Sequence, residues 1–251
     1  MLPRVLICAP TASAKSYCFE EWLDNVMNLN YPNYEVRLFD NSYKDGGEFT
    51  EKMNSIFQKK YGKGNNKFYA FNSAKINKIK DNAIGSVISR MTMSHNDCRE
   101  YAIKYGYEYI FHLETDVFPP SNVIEQLMSH GKNVIGGLYD RDEGQWRSLM
   151  VQKHIYTAPR VVNSVNFVTG DEISFVDGTI KPVSSVGLGC VLIHNSVFKA
   201  IPFRFVEGDG NHPDSFFNED CFRKGIKVYA DTSIHCRHDN RAWGIYGVDF
   251  K

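Results

Sequence analysis

The sequence predicts an α/β protein built on a mostly parallel sheet, and three observations predict it. Between residues 4 and 138, short apolar runs alternate with segments of helical period, the order expected of a sheet covered by helices. Two of those runs end in acidic residues, at the place where an open sheet meets its ligand. The chain has 251 residues, 43% hydrophobic and 14% aromatic, enough to bury one large core.

The elements follow in order. Val5-Leu6-Ile7-Cys8-Ala9, ended by Pro10, reads as a strand buried on both faces. Tyr17 to Leu29 carries Phe19, Trp22, Leu23, Val26 and Leu29 at helical spacing, and Asn30-Tyr31-Pro32-Asn33 stops it. Tyr34 to Phe39 is a second strand, closed by Asp40-Asn41-Ser42. A helix over Thr50 to Tyr61, a strand over Lys67 to Phe71 and a long helix over Ile84 to Tyr105 come next. Tyr109 to Leu113 is a strand, Pro119-Pro120 opens a helix along Ser121 to His130, and Asn133 to Leu138 is a strand.

Beyond Tyr139 the pattern changes to short β-prone pieces with turn signals at Gly170-Asp171 and Asp177-Gly178. Gly187 to His194 is a strand, Phe216 to Lys224 a short helix, and Val228 to Ala230 and Ser233 to Cys236 are late strands. With no linker or repeat in view, the expectation is one domain over 1–251, with an α/β half to about residue 139 and a mixed half from about 140.

Lys+Arg and Asp+Glu are both 29, so no global field recruits nucleic acid or a membrane. Charge is regional: Lys59 to Lys80 holds seven lysines and no acid, and Glu207 to Asp220 holds five acids and no base. Six cysteines without a CxxC read as free buried thiols in a reducing cytoplasm. The N-terminal apolar run is shorter than a signal peptide's ~7–15 residues, and no run approaches the ~18 residues of a spanning helix.

Chemistry is expected at the acidic strand ends, Asp40 and Glu114-Thr115-Asp116. Two carboxylates one residue apart share a side if the chain stays extended, and together can hold a hard divalent cation that binds a diphosphate. The alternative is a helix-capping Asp. If Ser233 to His238 is extended, Ile234, Cys236 and His238 share one face, and His235 and Arg237 the other, so His235-Cys236-Arg237-His238 does not converge on zinc. Gly187-Leu188-Gly189 lacks the third glycine and helix start of a dinucleotide loop.

Taken in this order, three segments resemble GT-A glycosyltransferases, in the manner of family 2 and its phage and environmental members. They are Asn96-Asp97-Cys98-Arg99 through Tyr109-Ile110-Phe111-His112-Leu113-Glu114-Thr115-Asp116; Val186 through Phe203; and Glu219-Asp220 through Gly225-Ile226-Lys227-Val228 to His238. The resemblance implies a single domain with a Rossmann-like central sheet, residues 1–139 binding a sugar nucleotide and 140–251 facing the acceptor. It implies transfer of a sugar, with inversion, from a nucleoside-diphosphate sugar, expected to be a UDP-sugar, to an acceptor hydroxyl with Mn²⁺ or Mg²⁺. Ala9, Pro10, Thr11, Asp40, Asn96, Arg99, Glu114, Thr115 and Asp116 are the implied donor contacts, Asp116 and His238 the metal ligands, and Asp220, as the general base, with Glu219 the catalytic residues. Two positions depart from the pattern: Glu114 stands where the first acid is usually Asp, and His95-Asn96 stands for Arg-Asn. The diphosphate-facing arginine is then sought at Arg90 or Arg99.

Two other classes fit the sheet: a nucleotidyltransferase, which would want a Gly-rich basic loop after the first strand, and a non-catalytic sugar-nucleotide or nucleic-acid binding module. Ala9 to Lys15 has no glycine and one lysine. The expected acceptor is a glycan or DNA carrying a hydroxylated base, with protein and lipid-linked acceptors also open. Lys59 to Lys80 interleaves lysines with Tyr61, Phe68, Tyr69 and Phe71, a mixture able to bind phosphates and stack bases, or to be a solvated loop. A phage DNA-modifying role in a host cytoplasm fits the first option. Trp146, Trp243, Tyr246 and Phe250 either frame the acceptor cleft or close the core.

Overall fold

The computed structural model describes residues 1–42, 47–73, 84–139, 148–152, 167–169, 176–209 and 211–239. Trp146, Trp243, Tyr246, Phe250, Gly170-Asp171, Lys75, Lys78 and Lys80 lie outside them.

The first half runs β1 (Val5–Thr11), α1 (Phe19–Met27), β2 (Tyr34–Asp40), α2 (Glu48–Tyr61), β3 (Phe68–Asn72), α3 (Ile84–Lys104), β4 (Tyr109–Leu113), β5 (Val117–Phe118), α4 (Val123–Ser129) and β6 (Val134–Tyr139). The second runs β7 (Ser148–Gln152), β8 (Phe167–Thr169), β9 (Ile180–Val183), β10 (Ser185–Val186), β11 (Cys190–His194), α5 (Asn195–Phe198), α6 (Pro213–Arg223) and β12 (Val228–His238). The main sheet is ordered β3-β2-β1-β4-β11-β6-β12-β5, with β9 also on β12. β1 to β4 pair parallel, and β6 pairs parallel with β12. β11 enters antiparallel between β4 and β6. The result is a mixed α/β domain with a mostly parallel central sheet.

Local chemistry explains the elements that position the site. All seven residues of β1 are buried, as its apolar run requires. In α1, Phe19, Trp22, Leu23 and Val26 form the buried stripe, while Glu20 and Glu21 sit in the first turn, where the helix dipole favours anions. Phe19 packs on Phe49 and Phe68 with ring centroids 6.2 and 5.9 Å apart. Each such buried ring contributes roughly 1.5–3 kcal/mol. Gly62 ends α2 with φ of +96°, a conformation that a side chain would strain.

The expected late strands Val228 to Ala230 and Ser233 to Cys236 are one strand, β12, whose register on β6 shifts between Asp231 and His235. Along it, Ile234, Cys236 and His238 are buried, and His235 and Arg237 are exposed, which is the expected division of faces. All six cysteines are buried and free of disulfides. Among the described residues, no helix is long and apolar enough to cross a membrane.

The basic segment is more structural than its composition suggested. Tyr61 donates to Asp24 at 2.5 Å and Lys60 pairs with the same carboxylate. Phe68 is buried against Phe57 at 5.1 Å, and Lys67 lies over the Tyr34 ring at 3.6 Å. Tyr61 and Phe68 are therefore not stacking platforms; of the four aromatics, Tyr69 is the exposed one.

Candidate active site

The acidic segment after β4 stands beyond the carboxyl ends of β1 and β4, where the strand order reverses; this crevice is where open α/β sheets bind ligands. Val117 N donates to Glu114 O at 3.0 Å, so Glu114 to Val117 is a turn and not the extended segment that same-side alternation assumes. The turn delivers the chain into β5, which pairs with the end of β12, Val117 opposite His238 and Phe118 opposite Arg237. That pairing sets His238 Nε2 3.7 Å from Asp116 Oδ2, and Asp239 N donates to Asp116 O at 2.8 Å. Tyr139, at the end of β6, packs edge-on against the His238 ring at 5.4 Å and accepts a hydrogen bond from Gly189 N at 2.9 Å. A Cβ on Gly189 would stand 2.5 Å from the Tyr139 ring. Gly189→Ala is therefore expected to destabilise the fold by about 1–3 kcal/mol; a denaturant midpoint equal to wild type would refute this.

A short 3-10 turn, Ser13–Lys15, carries one cation into the same crevice. Lys15 Nζ lies 2.8 Å from Asp116 Oδ1 and 3.1 Å from Glu114 Oε2. Burial works against the Lys15 charge, but Asp116 and Glu114 outweigh it and hold the ammonium well above its ordinary range. Burial likewise opposes the Asp116 charge, yet Lys15 and His238 hold its carboxyl below the usual carboxylate range. A divalent cation fits this donor set. Asp116 Oδ2 is buried and makes no hydrogen bond, an expensive condition for a carboxylate, and His238 Nε2 is close enough for one ion to touch both.

A third carboxyl arrives from the second half of the chain. His212 and Pro213 open α6, with Pro213 in the position that needs no amide donor, so Asp214 lies in the first turn. Asn218 fixes the helix: its Oδ1 accepts from Val186 N at 3.2 Å and its Nδ2 donates to Val186 O at 2.9 Å. Burial raises Asp214 above the ordinary carboxylate value, and the Glu114 charge adds to this, against a lowering by His212.

The structure sorts the residues singled out from sequence into two groups. Asp116, Glu114, Thr115 and His238 come together, and Thr11 joins them through a 2.9 Å hydrogen bond between its hydroxyl and that of Thr115. Asp40 pairs in register with Thr11 at the same edge; Ser42 and Thr50 hydroxyls donate to its two oxygens at 2.5 and 2.8 Å. The other group has its contacts elsewhere. Ala9 packs in the core, and Pro10 is buried in β1. Asn96 grips the Phe203 main chain, donating to its oxygen at 2.8 Å and accepting from its nitrogen at 3.0 Å. Arg99 donates to Phe198 O and Lys199 O at the end of α5, at 2.5 and 2.9 Å. Arg90 is buried in α3. Asp220 and Glu219 are held by Arg204, Asp220 through both oxygens at 2.8 and 3.0 Å and Glu219 at 3.0 Å, with Arg223 on Glu219 at 2.6 Å. Asp220 lies six positions beyond Asp214 on the helix, about 9 Å along the axis and on another face.

Sequence reasoning missed Lys15, Tyr139 and Asp214. Lys15 is the one lysine of its loop, Tyr139 ends a strand after two glycines, and Asp214 follows His212-Pro213, a helix-start signal inside the acidic run.

No family model matches the chain, and no curated protein matches it in sequence. Solved structures do match. The mannosyltransferase PcManGT from Pyrobaculum calidifontis, in complex with GDP-Man and Mn²⁺, is 13% identical with a TM-score of 0.61, over 98% of this chain and 60% of that one. GalNAc-T7 with UDP, GalNAc and Mn²⁺ is 13% identical with a TM-score of 0.57, over 94% of this chain and 43% of that one. TarS 1-349 from S. aureus is 11% identical with a TM-score of 0.54, over 92% of this chain and 60% of that one. The chain thus spans about 60% or less of the length of these structures. The fold is that of the GT-A glycosyltransferases.

Proposed function

We propose that this protein transfers a sugar from a nucleoside-diphosphate sugar to an acceptor hydroxyl, with Asp116 and His238 holding Mn²⁺ or Mg²⁺. The observation that carries the reading is the convergence of Asp116, Glu114, His238 and Lys15 at the switch point of a GT-A sheet. A divalent cation bound there would offset the negative charge that builds on the departing diphosphate.

The chain's own residues do the rest. Thr11 and Asp40, side by side at the ends of β1 and β2, line the place for the nucleoside. Lys15 is the basic group that meets the diphosphate, in the role sought at Arg90 or Arg99. Asp214 is the base that takes the acceptor proton: burial raises its carboxyl pKa, whereas both oxygens of Asp220 are engaged by Arg204. Direct attack by a hydroxyl so activated inverts the sugar carbon. UDP is the nucleotide proposed, and glycans and DNA carrying hydroxylated bases are the acceptors to screen.

The test is a panel of sugar nucleotides with Mn²⁺ or with chelator, read out as released nucleoside diphosphate and as nucleoside-diphosphate binding. Metal-dependent release or binding with one donor is expected; neither across the panel would end the reading. Lys15 has its own test. Lys15→Met should tighten Mn²⁺ binding by roughly tenfold, since it removes a cation from between two carboxylates, and weaken donor binding. An unchanged Mn²⁺ isotherm would show that Lys15 does not compete for that place.

A further inference from the structure

On the opposite side of β1 and β4 from the aromatic core of α1 and α2, four side chains with ligand atoms meet in the interior. Cys8 on β1 and His112 on β4 are register partners in adjacent parallel strands, so both point to the face covered by α3. Cys98 on α3 descends onto them. The Cys8 and Cys98 sulfurs and a His112 ring nitrogen all lie within 4.8 Å of one another, and all three residues are wholly buried. His95, one helical turn before Cys98 on the same face, is 2% exposed and packs its ring on His112 at 5.1 Å.

This cluster has an unsettled polar balance. Neither ring nitrogen of His112 makes a hydrogen bond, nor does Nδ1 of His95, although the Cys8 main chain lies close to the His112 ring. Buried, unmatched polar atoms are costly, so three imidazole nitrogens left this way in the middle of a core call for a partner. Burial keeps His112 neutral, the form in which imidazole ligates metals. Leu6, Ile110 and Ala102 belong to the same buried hydrophobic cluster as Cys8 and Cys98.

We propose that Cys8, Cys98 and His112, with His95 as the fourth ligand, form a structural site for zinc or a similarly thiophilic divalent ion. Two thiolates and two neutral imidazoles around Zn²⁺ carry no net charge, so the assembled centre is compatible with a dry core that an isolated charge would not tolerate. Ligand atoms ~2.0–2.3 Å from one tetrahedral ion stand roughly 3.5 Å apart; the Cys8, Cys98 and His112 atoms already lie within 4.8 Å of one another, and His95 would join them by side-chain rotation. Binding releases the two thiol protons, and the ion enters as the chain folds around it. The site is independent of Asp116 and His238, whose oxygen and imidazole donors suit a harder cation.

The test uses the full chain, expressed without a metal-affinity tag and dialysed against a mild chelator. Near-stoichiometric zinc by elemental analysis is expected, and growth with cobalt should give a thiolate-to-cobalt charge-transfer absorption that the Asp116 site cannot produce. Cys98→Ala should lower metal affinity by at least the ~10–100-fold seen when even an outer partner of a ligand is removed, whereas Asp116→Asn should keep the metal and the absorption. Should Cys98→Ala fail to fold, the wild-type metal content and cobalt spectrum decide alone. Folded wild type without metal, metal retained undiminished in folded Cys98→Ala, or a Cys8–Cys98 disulfide seen as a loss of two hydrogens in the intact mass would each overturn the proposal.

Discussion

Asp116→Asn is expected to abolish Mn²⁺-dependent binding of nucleoside diphosphate and to lower its release from the donor by roughly 10³-fold or more. The substitution is isosteric, so the turn after β4, held by the main-chain bonds of Glu114 and Asp239, should survive it. It removes the one wholly buried carboxylate of the group, the oxygen facing His238 and half of the Lys15 bridge together. Calorimetry with UDP and GDP, with and without Mn²⁺, reads the binding, and circular dichroism confirms the fold. Undiminished metal-dependent binding in the folded variant would remove Asp116 from the site.

The second large effect separates two carboxyls that the sequence places in one acidic run. Asp214→Asn should cut kcat by ~10²–10⁴-fold while leaving KM for the donor nearly unchanged, the signature of losing a base. Asp220→Asn should instead loosen the Arg204 network and cost about 1–2 kcal/mol of stability with kcat largely kept. The pH profile carries the same information. Asp214 must be ionised to accept a proton and its pKa is raised, so the acid limb of kcat/KM should fall at a pH above the ordinary carboxylate value. Normal turnover in Asp214→Asn together with loss in Asp220→Asn would return the role to Asp220.

These two carboxyls show what the sequence could and could not convey. Apolar periodicity located β4, whose bounds match those expected, and came within a few residues for α1, β2, α2 and α3, because these elements bury continuous stripes. For α6 the expected helix began at Phe216, at the first large apolar residue, whereas the helix starts at Pro213. Those three residues move Asp214 from a loop into the first turn. β5 is two residues long and exists only because β12 pairs with it, so no local pattern announces it. Likewise the break expected at Asp231-Thr232 is a register shift within one strand. The convergence of Asp116 and His238 was legible only through family resemblance, since a contact made by strand pairing leaves no trace in spacing. Lys15 was visible as the single base of its loop, but its reach across to Glu114 depends on how β1 and β4 lie side by side.

The position of β11 has a consequence for how the molecule is made. β4 and β6 leave the ribosome early yet never touch; the gap between them waits for β11, and β6 then waits again for β12 on its other edge. A nascent chain that has reached Tyr139 therefore holds a four-strand leaflet beside an orphan ribbon, with two open edges and the acidic turn complete but its histidine not yet synthesised. Long-range pairings of this kind fold slowly, and exposed strand edges invite foreign partners in the interval. The Asp116–His238 pair is thus completed late: it forms with β12, and only in chains whose sheet has closed in the right order.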